Sequence, residues 1–284
     1  MFKEYLESKK LSANTVHTYS KAIEKFIIWC EADGTDPEGF GYNDVLAFIQ
    51  AMRDKGNTVK AVHAVLNVLR HYGRFLVAAG KRTDNPAEGI FMQGIARKLP
   101  ANLLDSEAME ALYKNYALQL HVDAGKKMML GLLVFQGLRT EEIKRVQRKD
   151  LQLSEGKIYI RGTKRTNERW LSLQAVQIPA IQSHLQTIKA KAGPILEQEN
   201  NGHQSAQNVV NQIAWMFRQL KGLNPSVTNA KQIRGSVITE WLRKYPLREV
   251  QYMAGHKYVS STERYQTTGL DDLQNELKQH HPRS

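Results

Sequence analysis

Through the first hundred residues, apolar side chains return every three or four positions between short polar breaks. After the LSANT stretch they fall at Val16, Tyr19, Ile23, Phe26, Ile27 and Cys30, the spacing of one helix face. The stretch ADGTDPEGFG, with three glycines and a proline, interrupts that helix. A second face runs through Val45, Phe48, Ile49 and Met52. A third runs through Val62, Val65, Leu66, Leu69, Tyr72, Phe75 and Leu76 until KRTDNPAEG ends it. The pattern predicts a bundle of four or five helices.

The run GIARKLPANLLDSEAMEALY reads as a linker opening into a new helix. Ser106 precedes Ala108, Met109 and Leu112, and Asp105 and Glu107 lie near the positive helix start. The expected organisation is a helical domain over 1–96, a linker over 97–103, a second domain over 104–268 and a tail over 269–284. In the second domain, MMLGLLVFQGL (Met128–Leu138) is too short to span a membrane and reads as a buried helix. GKIYIRGTKRTNERWLSL places β-branched and aromatic residues on both sides of a polar turn, which predicts a hairpin with Lys164 at its shoulder. Helices resume near Gln174. In the tail, Leu270, Leu273 and Leu277 form a narrow apolar stripe. The fold class is therefore mainly α: an N-terminal helical bundle, then a larger helical domain with a small antiparallel β-sheet.

Charge narrows the list of partners. The formal net charge is +12, with +3 in residues 1–100 and +9 in the rest. Such an excess favours a polyanion, nucleic acid first and an anionic membrane surface second. The amino-terminal MFKEYLESKK lacks the apolar centre of a secretion signal. A single cysteine, Cys30, permits neither an internal disulfide nor a thiolate metal site, and its apolar position makes it a core thiol. A soluble protein of the reducing cytoplasm, associated with the nucleoid, is the expectation.

Four separated segments carry the candidate chemistry. QGLRTEEI presents Arg139 after a glycine, with Glu142 three residues on, and the hairpin presents Lys164. In TNAKQIRGS, Lys231 and Arg234 are three apart on one side of a helix. AGHKYVSSTERY carries His256 and Tyr265, and Tyr265 has Ser261 and Thr262 at the positions where a packed ring usually has apolar neighbours. Gly255 suits a left-handed helix stop, and Ser260 with Glu263 has the spacing of a capping box for a following short helix. Each residue alone has an ordinary reading as a surface charge, a salt bridge or a core ring. Together they set many cations around one phenol, which is a poor nucleophile at neutral pH unless its anion is stabilised.

In order and spacing, GLRTEE, TKRTNERWLSL, KQIR and AGHKYVSSTERY resemble the tyrosine recombinase (phage integrase) family, in particular its Xer-like members. The resemblance extends weakly into the first domain. It implies a SAM-like core-binding domain followed by a catalytic domain, and a tail helix that docks on a neighbouring subunit, where the apolar stripe by itself would equally suit packing on its own domain. It also implies a site-specific DNA recombinase, working through a 3′-phosphotyrosyl intermediate without metal, ATP or other cofactor. By the same resemblance Tyr265 is the nucleophile, Arg139 and Arg234 bind the phosphate, Lys164 is the general acid, and His256 donates to the phosphate or assists the tyrosine. Glu142 holds Arg139 or its neighbours. The partner implied is double-stranded DNA, bound by a homo-tetramer on synapsed sites or by a hetero-tetramer with a second recombinase, with no membrane involved.

Lys231 departs from the pattern, since the family usually has histidine there. A charged lysine binds phosphate but does not relay a proton as imidazole does; it acts either as a point charge or as a free amine, and the point charge is the expectation. Lys60, Arg70 and Arg74, in or beside the third helix, are candidates for DNA contact. Two alternatives remain: strand relaxation of the type IB topoisomerase kind, and a DNA-binding relative without catalysis.

Overall fold

The computed structural model describes residues 1–93, 99–100, 102–188, 193–196, 199–200, 203–204 and 206–266. The chain forms two compact units, Met1–Arg97 and Lys98–Ser284. Three residues of the expected linker (97, 98 and 101) and the whole expected tail, with Leu270, Leu273 and Leu277, lie outside the described residues.

Four helices build the first unit among the described residues: α1 (Phe2–Ser8), α2 (Ala13–Asp33), α3 (Tyr42–Asp54) and α4 (Val59–Ala78). Polar caps start α2 and α4, Ser12 accepting from the Thr15 amide and Thr58 from the Ala61 amide. Gly34 stops α2 in the left-handed conformation. The apolar faces meet in a core of Phe26, Cys30, Phe40, Phe48, Leu66, Leu69 and Leu76, where the Phe26 ring packs edge-on against both Phe40 and Phe48. Burial pushes the Cys30 thiol up to about 11, which fits a packing residue rather than a reactive one.

The second unit is helical around one sheet. Asp105 caps α5 (Ser106–Ala117) by accepting from the Ala108 amide, one residue ahead of the expected Ser106. Next come α6 (Ala124–Val134), whose central residues are buried, and α7 (Thr140–Ile143). The strands β1 (Leu151–Gln152), β2 (Lys157–Ile160) and β3 (Arg169–Ser172) form an antiparallel sheet in that order, with Ile160 opposite Arg169 and Ile158 opposite Leu171. Then come α8 (Ile178–Thr187), a small pair β4 (Glu199–Asn200) and β5 (His203–Gln204), α9 (Ala206–Leu223), α10 (Ala230–Lys244) and α11 (Leu247–Ala254). A further helix, α12, covers residues 260–266. Ser260 is therefore its first helical residue rather than its cap, because the Thr262 and Glu263 amides both donate to the Val259 carbonyl. The strands β1, β4 and β5 were not anticipated. No helix among the described residues is long and apolar enough to cross a membrane.

Candidate active site

The site grows from the joint between α6 and α7. After α6 the chain turns at Gly137, buries Leu138 and enters α7 with Arg139 extended at the cap position. The Arg139 amide donates to Glu142 Oε2 at 2.9 Å. The carboxylate expected to hold Arg139 or its neighbours thus holds Arg139 by its backbone.

The Glu142 carboxylate spends its remaining capacity on a residue outside the expected set. Arg169, at the inward-facing start of β3, donates to Glu142 Oε1 from Nη1 (2.8 Å) and to Oε2 from Nη2 (3.3 Å), and both side chains are fully buried. Arg169 Nε donates to the Met253 carbonyl at the end of α11 (2.7 Å). Burial would raise the Glu142 carboxyl, but the hydrogen bonds and charge of Arg169, with Arg234 and the Arg139 amide, hold it below the ordinary range.

Arg234 enters from α10, also buried. Its Nη1 donates to the Gly137 carbonyl and its Nη2 to the Ala254 carbonyl, both at 2.6 Å, and Nη2 reaches His256 Nε2 at 3.2 Å. Glu142 Oε2 lies 3.9 Å from Nη1. Burial and the charge of Arg139 push Arg234 down to about 10, which leaves it a cation at neutral pH.

The last segment follows from Gly255. It ends α11 at φ 65°, and its carbonyl accepts from the Asn167 amide of the hairpin at 2.9 Å. Thr166 and His256 then form an isolated antiparallel bridge. Burial, followed by the charges of Arg234, Arg139 and Arg169, pushes His256 down to about 3, so its ring is neutral. Because Arg234 can only donate, His256 Nε2 is the acceptor; Nδ1 then carries the hydrogen and donates to Thr262 Oγ1 at 2.9 Å. Tyr265, three residues after Thr262 on α12, stacks on His256 with ring centroids 6.1 Å apart. It is half-buried against Ile238, Val250 and Ala254.

Arg139, Glu142, Arg234, His256 and Tyr265 are therefore brought together, with Arg169, part of the hairpin motif TKRTNERWLSL but given no role in the site, and Thr262, which the site reading omitted. Two guanidinium nitrogens, Arg139 Nε and Arg234 Nε, are buried without a hydrogen-bond partner among the described residues. Three guanidiniums against one carboxylate, with donors left over, make a receptor for an anion. Lys164 and Lys231 are solvent-exposed. Lys164 sits on the hairpin turn closed by Thr163 and Thr166, and Lys231 lies in the first turn of α10 beside its Asn229 cap. Among the described residues neither ammonium has an ion-pair partner.

The three candidates for DNA contact in the first unit differ from one another. Lys60 is exposed. Arg70 donates to the Asn67 side chain and to the Ala87 and Ile90 carbonyls, and Arg74 is paired with Glu88. Both guanidiniums tether the segment after α4, and the Arg74 side chain remains half-exposed.

An inward-facing arginine on a strand of alternating burial was the available signal for Arg169. Residues 169 and 171 of β3 point inward and 170 and 172 outward, so a charge at 169 demands a buried partner.

Comparison with known proteins follows the same division of the chain. The phage integrase family profile matches residues 102–269, and the profile of the phage integrase N-terminal SAM-like domain matches residues 1–76. The chain is similar to tyrosine recombinase XerD of Listeria innocua, 27% identical over 288 residues and covering 97% of this chain and 95% of that protein. It is also similar to tyrosine recombinase XerC of Bacillus pumilus, 24% identical over 298 residues and covering 100% and 96%. Among solved structures, the XerH site-specific recombinase bound to palindromic difH substrate, a post-cleavage complex, shares the fold with a TM-score of 0.73 at 17% identity over 96% of this chain and 81% of that one. The Tn1549 transposon integrase in complex with transposon right end DNA gives 0.67 at 16% identity over 97% and 98%.

Proposed function

The chain belongs to the phage integrase family of tyrosine recombinases, and from that premise we propose that it is a site-specific recombinase whose nucleophile is Tyr265. The Tyr265 phenolic oxygen attacks the phosphorus of a DNA phosphodiester and its proton passes to solvent. The bond from phosphorus to the 5′-oxygen breaks, leaving a 3′-phosphotyrosyl linkage. Lys164, exposed on the hairpin turn, delivers a proton to the departing oxygen, which becomes a free 5′-hydroxyl. Attack by the 5′-hydroxyl of another strand reverses the sequence. The covalent linkage conserves the phosphodiester, so rejoining needs no external energy source.

Arg139 and Arg234 bind the non-bridging oxygens, whose charge grows in the transition state; one such donor is typically worth about 3–4 kcal/mol of barrier. Lys231 adds a point charge at the start of α10. His256, neutral and engaged at both nitrogens, orients Arg234 and supports the Tyr265 ring instead of donating to phosphate. Exchange between two duplexes requires four strand cleavages, hence four subunits on the synapsed sites, all of this chain or shared with a second recombinase. The DNA named in the structures of similar fold supports duplex DNA as the substrate. The first unit adds phosphate contacts, with Lys60 as a candidate, so affinity falls steeply with salt.

The observation that carries this reading is the pair of unpartnered guanidinium donors in the same cluster as the stacked Tyr265 and His256 rings. Its test is Tyr265→Phe on a nicked suicide substrate: DNA binding is kept and the covalent adduct is lost. An adduct that survives places the nucleophile elsewhere.

A further inference from the structure

The Arg169 side chain joins three segments of the site and touches none of the groups assigned to substrate. Four of its five N–H groups bond within the protein: Nε to the Met253 carbonyl, Nη1 to Glu142 and the Asn167 carbonyl, and Nη2 to Glu142. The side chain is fully buried, which keeps the fifth away from a phosphate. What it does is hold β3. The two residues that flank Arg139 at a distance of three, Gln136 and Glu142, grip β3 at its two ends. Gln136 Nε2 donates to the Ser172 carbonyl (2.8 Å), and Glu142 takes Arg169. On the other side, Arg169 and Asn167 tie the same strand to Met253 and Gly255, just before His256.

We propose that Arg169 is a positioning residue for strand cleavage, clamping the hairpin that carries Lys164 to the segments that carry Arg139 and His256, so that the general acid reaches the leaving oxygen. This rests on the reading above, in which Lys164 protonates the 5′-oxygen. Lys164 stands two residues before Thr166, which bridges to His256, and five before Arg169. Among the described residues the exposed Lys164 ammonium has no ion pair to fix it. Its placement is inherited from the anchored strand behind it. Loosening that anchor displaces the acid while leaving the phosphate-binding arginines in place.

The distinguishing probe is a suicide substrate with sulfur in place of the bridging 5′-oxygen. Its phosphorus–sulfur bond breaks with the electron pair leaving on a thiolate, which needs no proton at neutral pH. Parent, Arg169→Lys and Lys164→Ala are compared on oxygen and sulfur DNA in single-turnover cleavage, with DNA affinity and thermal melts measured alongside. Arg169→Lys keeps a cation beside Glu142 but loses the fork. It is expected to cleave oxygen DNA about 100-fold more slowly, the scale of a misplaced catalytic group, to come within about tenfold of the parent on sulfur DNA, and to bind DNA as the parent does. Near-parental cleavage of oxygen DNA, or an equal defect on both substrates, overturns the proposal. If Arg169→Lys does not fold, Arg169→Gln keeps an amide donor for Glu142, whose charge still faces Arg234, and is read the same way. The functional reading fails separately: the parent forms no adduct, or Lys164→Ala is not rescued by sulfur.

Discussion

The imidazole of His256 and the phenol of Tyr265 lie face to face, their planes 16° from parallel and their centroids 6.1 Å apart. A charged imidazolium would be costly at this position. The ring is buried, and Arg234, Arg139 and Arg169 all oppose a further positive charge. His256 thus serves as a neutral support that accepts from Arg234, donates to Thr262 and presents its face to Tyr265.

That neutrality has a pH signature. In the unfolded chain His256 takes up a proton near pH 6.5, whereas in the fold it resists protonation until about pH 3. Below pH 6.5 the unfolded state therefore binds more protons, and stability falls as pH falls. The contribution is complete above pH 6.5 and is lost progressively toward pH 3. Between pH 7.5 and 5 the loss from this residue is about 2 kcal/mol. His256→Gln should flatten the dependence by about that amount in urea unfolding at a series of pH values. Equal slopes in parent and variant over that interval would show that the ring is not held neutral.

Arg234→Lys should separate binding from chemistry. A lysine keeps the charge but cannot reach the Gly137 and Ala254 carbonyls together while offering a third donor. Single-turnover cleavage is expected to fall about 100- to 1000-fold. DNA affinity, spread over many phosphates, should change by less than about threefold. A large loss of affinity at unchanged cleavage rate would make Arg234 a binding residue only.

Lys231 is exposed at the start of α10, so its task as a point charge needs a donor more than a particular shape. Lys231→His should stay within about tenfold of the parent and gain rate as pH falls toward 6 and the imidazole charges. Lys231→Ala should lose about 100-fold. Both are read by adduct formation on the suicide substrate. Abolished cleavage in Lys231→His would count against the point charge.

Most helices of the two units were legible because they bury one face, as Val62, Leu66, Leu69 and Leu76 do in α4, and α6 was legible from its continuous apolar run. The hairpin was legible from the β-branched and aromatic residues of its first arm and the polar turn after it, and the end of α11 from Gly255. That Glu142 holds Arg139 or its neighbours was legible from nearness in sequence, but its ion-pair partner was not: the carboxylate caps the Arg139 amide and finds a guanidinium 27 residues away, on β3. The partners of Arg70 and Arg74 were hidden for the same reason. The carbonyls of Ala87 and Ile90 and the carboxylate of Glu88 meet them only once the chain has turned back. Two-residue strands such as β1, β4 and β5 carry no period at all.

Gly255 is where the local and the distant requirements coincide, and a pair of substitutions separates them. Gly34 and Gly255 both end helices in the left-handed region, at φ 75° and 65°, so alanine at either carries the same backbone cost, about 1–2 kcal/mol. Around Gly34 a Cβ would meet nothing within 4 Å, whereas at Gly255 it would lie 2.5 Å from Arg169 Nη1 and 3.0 Å from the Asn167 carbonyl oxygen. The Arg169 guanidinium is fully buried and fixed by Glu142 and Met253, so it has no room to retreat. Gly255→Ala should therefore cost about 1–3 kcal/mol more than Gly34→Ala, each read on the unfolding transition of its own unit. It should also slow adduct formation by pushing Arg169 and the hairpin away from His256, while Gly34→Ala, in the first unit, leaves the rate unchanged. Equal destabilisation by the two substitutions, or an unaltered cleavage rate in Gly255→Ala, would mean that the contact between Gly255 and Arg169 yields without consequence.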